Sequence, residues 1–294
     1  MTDIVSALYN MMLDFLKPLL YFAEKRVAGK SIPAVAQLAN RQTLDTACLE
    51  GKTIDHSLWD DLLTKYVDTT GSAGDVKNNG LHAVDYEGLA KDEKFSQYLL
   101  QLEQADDPSE LQGPHEMALW MNAYNALCVN LVVTHKPTKS INDLSKKGGE
   151  SVWDQVAGKV AGKEVSLSFI EHDRLRAKWD EPAVHGCIVC ASISCPNLRA
   201  EAYSGDLVKL KAQMKDQMVQ WMANDTKGVE LCGDNQNRLK LSRIFLWFED
   251  DFGENRNEWI SQYIQNDDIK TALGSSATRI RYFDYDWNLN RQQK

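Results

Sequence analysis

Thirteen consecutive residues, HGCIVCASISCPN from His185 to Asn197, hold one histidine, three of the six cysteines and two serines. Three chemistries use these residue types. Cys187 and Cys190 have zinc-knuckle spacing, with His185 and Cys195 as further ligands. A thiolate nucleophile needs a base and an oxyanion stabiliser within reach. Cysteine is also a small, frequently buried apolar residue, so the run could be core.

AVHGCIVC is a short apolar run after Pro182 and reads as a buried strand. On a strand, positions 187 and 190 face opposite ways, and no second CxxC exists, so no metal is expected. Five residues of strand span roughly 16 Å, which keeps His185 away from Cys190. Cys195 lies past the strand end, and a loop folding back would set its sulfur beside the imidazole. Cys195 is therefore the candidate nucleophile and His185 the candidate base, with a structural role for Cys195 equally open. Cys190 reads as buried packing. Pro196 would rigidify such a loop. Ser192 and Ser194 lack the G-x-S-x-G of a hydrolase elbow.

Supporting groups come from elsewhere. Asn122 and Asn125 are three apart on an apolar helix, so they share a face. Buried amides must be hydrogen-bonded. The pair either lines a polar pocket, orienting the imidazole or donating to an oxyanion, or clamps a loop. Asp286, in DYDW, either orients His185 as a third triad member or ties the C-terminal segment to an arginine or backbone amides. Tyr124 is expected in the core, and His172 in a helix-surface hydrogen bond. No G-x-G-x-x-G, P-loop or H-E-x-x-H is present, and no cofactor is expected.

The elements that must position these residues are mostly helical. HSLWDDLLTKYV, KFSQYLLQL, DLVKLKAQMKDQMVQWM and NEWISQYIQ read as helices. MALWMNAYNALCVNLVV is apolar on nearly every face and interrupted by asparagines. It is expected as a buried central helix over about 117–133 rather than a membrane span. Ser168 and Glu171 form an S-x-x-E box opening SFIEHDRLRAKW, and Ser242 is placed to cap RIFLWFEDDFG. LHAVDY, EVSLS, RLKLS and RIRYF read as short strands. Strands and helices do not alternate regularly. The fold class is therefore α+β, a small, mostly antiparallel sheet wrapped by many helices. Residues 1–50 are expected as an N-terminal helical appendage, with Ile4, Leu8, Met11, Phe15 and Leu19 on one amphipathic face. Residues 51–294 are expected as a single domain.

Taken together, five segments resemble one family. They are MALWMNAYNAL, SFIEHDRLR, AVHGCIVCASISCPNLRAEAY, LSRIFLWFEDDFG and FDYDWNLN. Their order and wording are similar to the family known as domain of unknown function 547, from about His56 to Asn290. The resemblance implies a fold akin to papain-like or transglutaminase-like cysteine enzymes. Two positions depart from it: Cys187 stands where the family usually has alanine, and Gly186 where it usually has an aromatic residue. A shared function is not expected of Cys187.

Composition narrows the rest. A net charge of −9 repels phosphate backbones, so nucleic acid is not an expected partner. Early positive charge and an uninterrupted apolar run are both lacking near Met1, so neither a signal peptide nor a membrane span is expected. Six dispersed cysteines fit free thiols in a reducing, cytoplasmic setting. The leading expectation is a cysteine-dependent hydrolase or acyl transferase acting on an amide or thioester of a small molecule or peptide. A non-catalytic module for a protein partner, with a structural Cys/His loop, is the alternative. A thiol redox protein using a Cys190–Cys195 disulfide is the third.

Overall fold

Apolar residues at helical spacing set the first elements. Trp59, Leu62 and Leu63 share the inward face of α1 (Ser57–Tyr66). The chain continues through β1 (Val67–Asp68), β2 (Ala83–Val84) and α2 (Tyr86–Leu89) to α3 (Glu93–Glu103). Trp59 stacks flat on Tyr98 of α3, with ring centroids 5.5 Å apart, which fixes the two helices together. The structure is a computed structural model that describes residues 41–71, 80–146, 149–233 and 237–292. The amphipathic helix expected near residues 4–19, and with it most of the 1–50 appendage, lies outside the described residues.

Next comes the central helix, α4 (Gly113–His135). Pro114 sits in its first turn, where a missing N–H costs nothing. Lys136, with φ 49°, ends it in the left-handed region. Residues from Glu116 to Val129 are all buried. By length and composition α4 could cross a membrane, but 83% of its apolar window is buried inside the protein. That is the buried central helix expected, begun four residues earlier.

β3 (Val156–Val160) and β4 (Lys163–Ser166) form a tight hairpin. Its two-residue loop, Ala161 and Gly162, takes φ of 49° and 72°, matching the right-handed twist of the strands. α5 (Leu167–Phe169) is capped by Ser166, whose Oγ accepts from the Phe169 N–H, so the cap falls two residues before Ser168. Beyond α5 the helix widens into a π-helical stretch, Ile170–Arg176, a rare geometry that is frequent at functional sites.

The AVHGCIVC strand does not form. Val184, His185 and Gly186 donate to the carbonyls of Glu181, Pro182 and Ala183, a helical turn that becomes α6 (Val184–Cys187). A short apolar run carries no period by which to separate a buried strand from a buried turn, and among the described residues no neighbouring strand pairs with it. Gly186 has a packing reason: a Cβ there would lie 2.5 Å from the Met218 sulfur of α7 (Leu207–Met222). The side chains of α7 fill the space that an aromatic residue would need.

The C-terminal third holds β5 (Val229–Cys232), β6 (Arg238–Leu241), α8 (Ile244–Trp247), α9 (Arg256–Ser261), α10 (Asp267–Gly274) and β7 (Arg279–Tyr282). β5 pairs antiparallel with β6, and β6 parallel with β7. The fold is α+β, with small and mostly antiparallel sheets. The described strands are divided among three sheets rather than gathered in one.

Candidate functional site

The loop after α6 does double back. Ala191, with φ 58°, turns the chain sharply just after Cys190. A non-glycine residue there costs on the order of 1–2 kcal/mol, so neighbours must enforce the turn. They do so from three sides. From α4, the Asn125 amide donates to the Cys187 carbonyl (3.0 Å) and accepts from the Val189 N–H (2.9 Å). One turn earlier, Asn122 holds both backbone groups of Tyr203 in the same way. From α7, Gln217 donates to the carbonyls of Gly186 and Asn197. From the C-terminal segment, Asn290 N–H donates to Ala191 O and Ile193 N–H to Asn288 O. Asn125 therefore clamps the cysteine loop itself, and Asn122 clamps the chain that follows it at Tyr203.

This return brings Cys195 to Cys190. The Cys190 N–H donates to the Cys195 sulfur at 3.1 Å. The Ser192 hydroxyl lies 3.0 Å from the Cys190 sulfur, and the Tyr285 hydroxyl 3.2 Å. Cys190 is half-buried and Cys195 buried. Burial opposes a Cys190 thiolate, but bonds from Cys195, Ser192 and Tyr285 outweigh it and bring the thiol below its ordinary value. Cys195 moves the other way, pushed up by burial and by the neighbouring Cys190 charge. One thiol of the pair is thus activated and its neighbour held protonated. Cys187 is pushed up to about 12 by burial and takes no part.

Beneath the loop, Lys227 is 4% exposed. Its ammonium donates to Ile193 O (3.2 Å) and to Asn197 Oδ1 (2.6 Å). Beside the thiols, Tyr285 packs between Trp247 and Trp287, with centroids 4.8 and 4.5 Å away.

His185 makes its contacts elsewhere. Its Nε2 lies 2.7 Å from Asp251 Oδ2, and the ring stacks on Phe248 at 4.2 Å. Arg176 grips both oxygens of Asp251, at 2.5 and 3.1 Å. His172 Nδ1 lies 2.7 Å from an Arg176 nitrogen. Tyr124 donates to Glu171, whose other oxygen is 3.9 Å from His185 Nδ1. This is a buried ionic cluster anchored on the π-helical stretch, and Asp251 is the carboxylate that orients His185. Asp286 accepts instead from the N–H and side chain of Asn288, at 2.9 and 2.8 Å.

Residues 108–222 match the family described as Protein of unknown function, DUF547. The segment is similar to that family. No curated protein and no solved structure matches the chain. The matched segment supplies both asparagines, His185 and the whole cysteine loop. Asp251, Lys227 and Tyr285 reach the site from beyond residue 222, so the matched segment is incomplete without the C-terminal third.

Three site residues are not singled out by the sequence, and a fourth, Cys190, enters it only through the Cys190–Cys195 disulfide of the third expectation. Cys190 reads as packing only on the premise of a strand, and that strand does not form. Asp251 and Tyr285 lie inside the family-like segments EDDF and DYDW, which offer a signal. Lys227 carries none. Among the described residues, no group of three His, Cys, Asp or Glu side chains is arranged to hold a metal ion.

Proposed function

We propose that the protein carries out thiol–disulfide exchange, with Cys190 as attacking thiol and Cys195 as resolving thiol. The observation behind this reading is the Cys195 sulfur held on the Cys190 N–H, with one thiol of the pair lowered and the other raised. Low-pKa, accessible thiols beside a second cysteine are the pattern of redox-active sites. The Cys190 thiolate attacks one sulfur of a substrate disulfide; that S–S bond breaks, a mixed disulfide forms and one thiolate leaves. Cys195 then attacks the Cys190 sulfur, closing the protein disulfide and releasing the second thiolate. The substrate gains two electrons and two protons, one proton from Cys195 and one from solvent. Ser192 and Tyr285 stabilise the thiolate before attack.

The test is exposure of the reduced protein to glutathione disulfide followed by non-reducing peptide mapping. The expected product is a Cys190–Cys195 cross-link, with Cys195→Ser trapping glutathione on Cys190. Absence of both products overturns the reading.

Acyl transfer from a thioester or amide is a second reading with the same nucleophile. The Tyr285 and Ser192 hydroxyls favour it, because donors aimed at a thiolate can also serve a carbonyl oxygen. It expects Cys190→Ser to abolish, and Cys195→Ser to retain, a burst of product release from a nitrophenyl thioester. In either chemistry Asn125 supports the site through the backbone that it fixes, and His185 stays in the ionic cluster with Asp251.

A further inference from the structure

Lys227 presents an unusual electrostatic situation. It follows α7 in a short turn, and its ammonium is buried, bonded to one carbonyl and one amide oxygen. Neither carries charge. Among the described residues no carboxylate pairs with Lys227, whereas surface lysines such as Lys52 and Lys94 have acidic partners. An isolated buried ammonium is costly, and the usual outcomes are a buried counter-charge or loss of the proton. The two oxygens that it does hold belong to Ile193 and Asn197, on either side of Cys195. The acidic groups whose charge it feels are Cys195 and Cys190.

We infer that Lys227 is the counter-charge of the Cys190 thiolate and a positioning residue for the returning cysteine loop. This rests on the reading of Cys190 as the attacking thiol. The remaining groups facing the pair are His82, Tyr86, Tyr124, Cys128 and Tyr285. Burial pushes all four acids among them up and His82 down, so none is ionised near neutral pH. Of the cations around them, Arg199 acts on His82 and Arg291 on Tyr86, whereas Lys227 is the one bonded to the loop that carries Cys195. Burial also brings Lys227 down, to about 8, opposed by the two thiols. Thiol and ammonium therefore titrate in the same range, and each ionised form favours the other. Oxidation to the Cys190–Cys195 disulfide removes the anion. The ammonium then loses its counter-charge, so reduction of the disulfide favours Lys227 protonation.

The test compares Lys227→Gln and Lys227→Arg in the full chain. Glutamine keeps an N–H donor for the loop without the charge, and arginine keeps the charge. The readout is the pH midpoint of Cys190 alkylation by iodoacetamide. The expected result for glutamine is a midpoint above the parent's value of about 7, with the rate at pH 7 falling about fivefold for the first pH unit of rise and about tenfold for each further unit. For arginine the midpoint stays close to the parent. A glutamine variant titrating like the parent, or both variants moving alike, overturns the inference.

If Lys227→Gln does not fold, the reciprocal measurement decides. The 13C shift of the Lys227 side chain is followed with pH in Cys190→Ser/Cys195→Ser. The expected result is protonation at lower pH than in the reduced parent, and an unchanged midpoint overturns the inference. Glutathione mapping of the unaltered protein stands apart from Lys227, so failure of the thiol reading and failure of the lysine role are distinguishable.

Discussion

At the scale of single residues, burial and hydrogen bonding compete over Cys190. Burial alone would make it an inert thiol, like Cys128 on α4. Two hydroxyls and a thiol at its sulfur reverse that outcome. Tyr285→Phe removes one donor while keeping the ring between Trp247 and Trp287. The expected effect is slower Cys190 alkylation at pH 7 with an unchanged melting temperature. An unaltered rate would show that Tyr285 contributes nothing to the thiolate. Asp251 is the residue on which Arg176 and His185 converge. Asp251→Asn leaves Arg176 buried without its counter-charge, a loss of about 3–5 kcal/mol for breaking a buried pair. Urea unfolding checks this, and a change within about 0.5 kcal/mol would be that of an ordinary surface site.

At the scale of elements, the cysteine loop is shaped by α4, α7 and the C-terminal segment acting on one backbone. Asn125→Ala orphans the Val189 N–H and the Cys187 carbonyl. Each buried unsatisfied group costs about 1–3 kcal/mol. The variant is expected to lose stability in urea and also to lose the preference for Cys190 over Cys195 in alkylation. Retained selectivity at lowered stability would mean that α4 supports the fold but not the thiol geometry. The spacing of Asn122 and Asn125 revealed a shared face and an obligatory partner. It could not reveal that the partners were backbone groups 62 and 81 residues away.

At the scale of the whole molecule, buried histidines set the response to acid. Burial lowers His56 from 6.5 to about 4, and lowers His82 and His172 as well. A histidine with a depressed folded pKa takes up its proton more readily when unfolded. Stability is therefore full above about pH 6.5 and declines as pH falls toward 4. His56 alone contributes on the order of 3 kcal/mol to that decline. Asp251 adds to it at lower pH: burial would raise this carboxyl, but His185 and Arg176 hold it well below the usual carboxylate range. Glu181, raised by burial, works in the opposite direction. Denaturant midpoints at pH 7, 5.5 and 4.5 should fall in that order, with His56→Gln flattening the upper part. A flat profile across this range would be incompatible with a neutral buried His56.

Local pattern in the sequence determined the α+β class, the buried helix near residues 117–133, the amphipathic helices and the cluster of chemically capable residues around the cysteines. Those follow from side-chain period and composition, which act over a few residues. Only the tertiary structure decided which sulfur is activated, because Cys190 owes its state to groups 2, 5 and 95 residues away. It also decided that 184–187 is a helical turn, that Asp251 rather than Asp286 meets His185, and that Lys227 lies beneath the loop. The physical reason is the same in each case. Hydrogen bonds and charge pairs depend on distances that folding sets between remote segments, and a one-dimensional order of residues does not contain those distances.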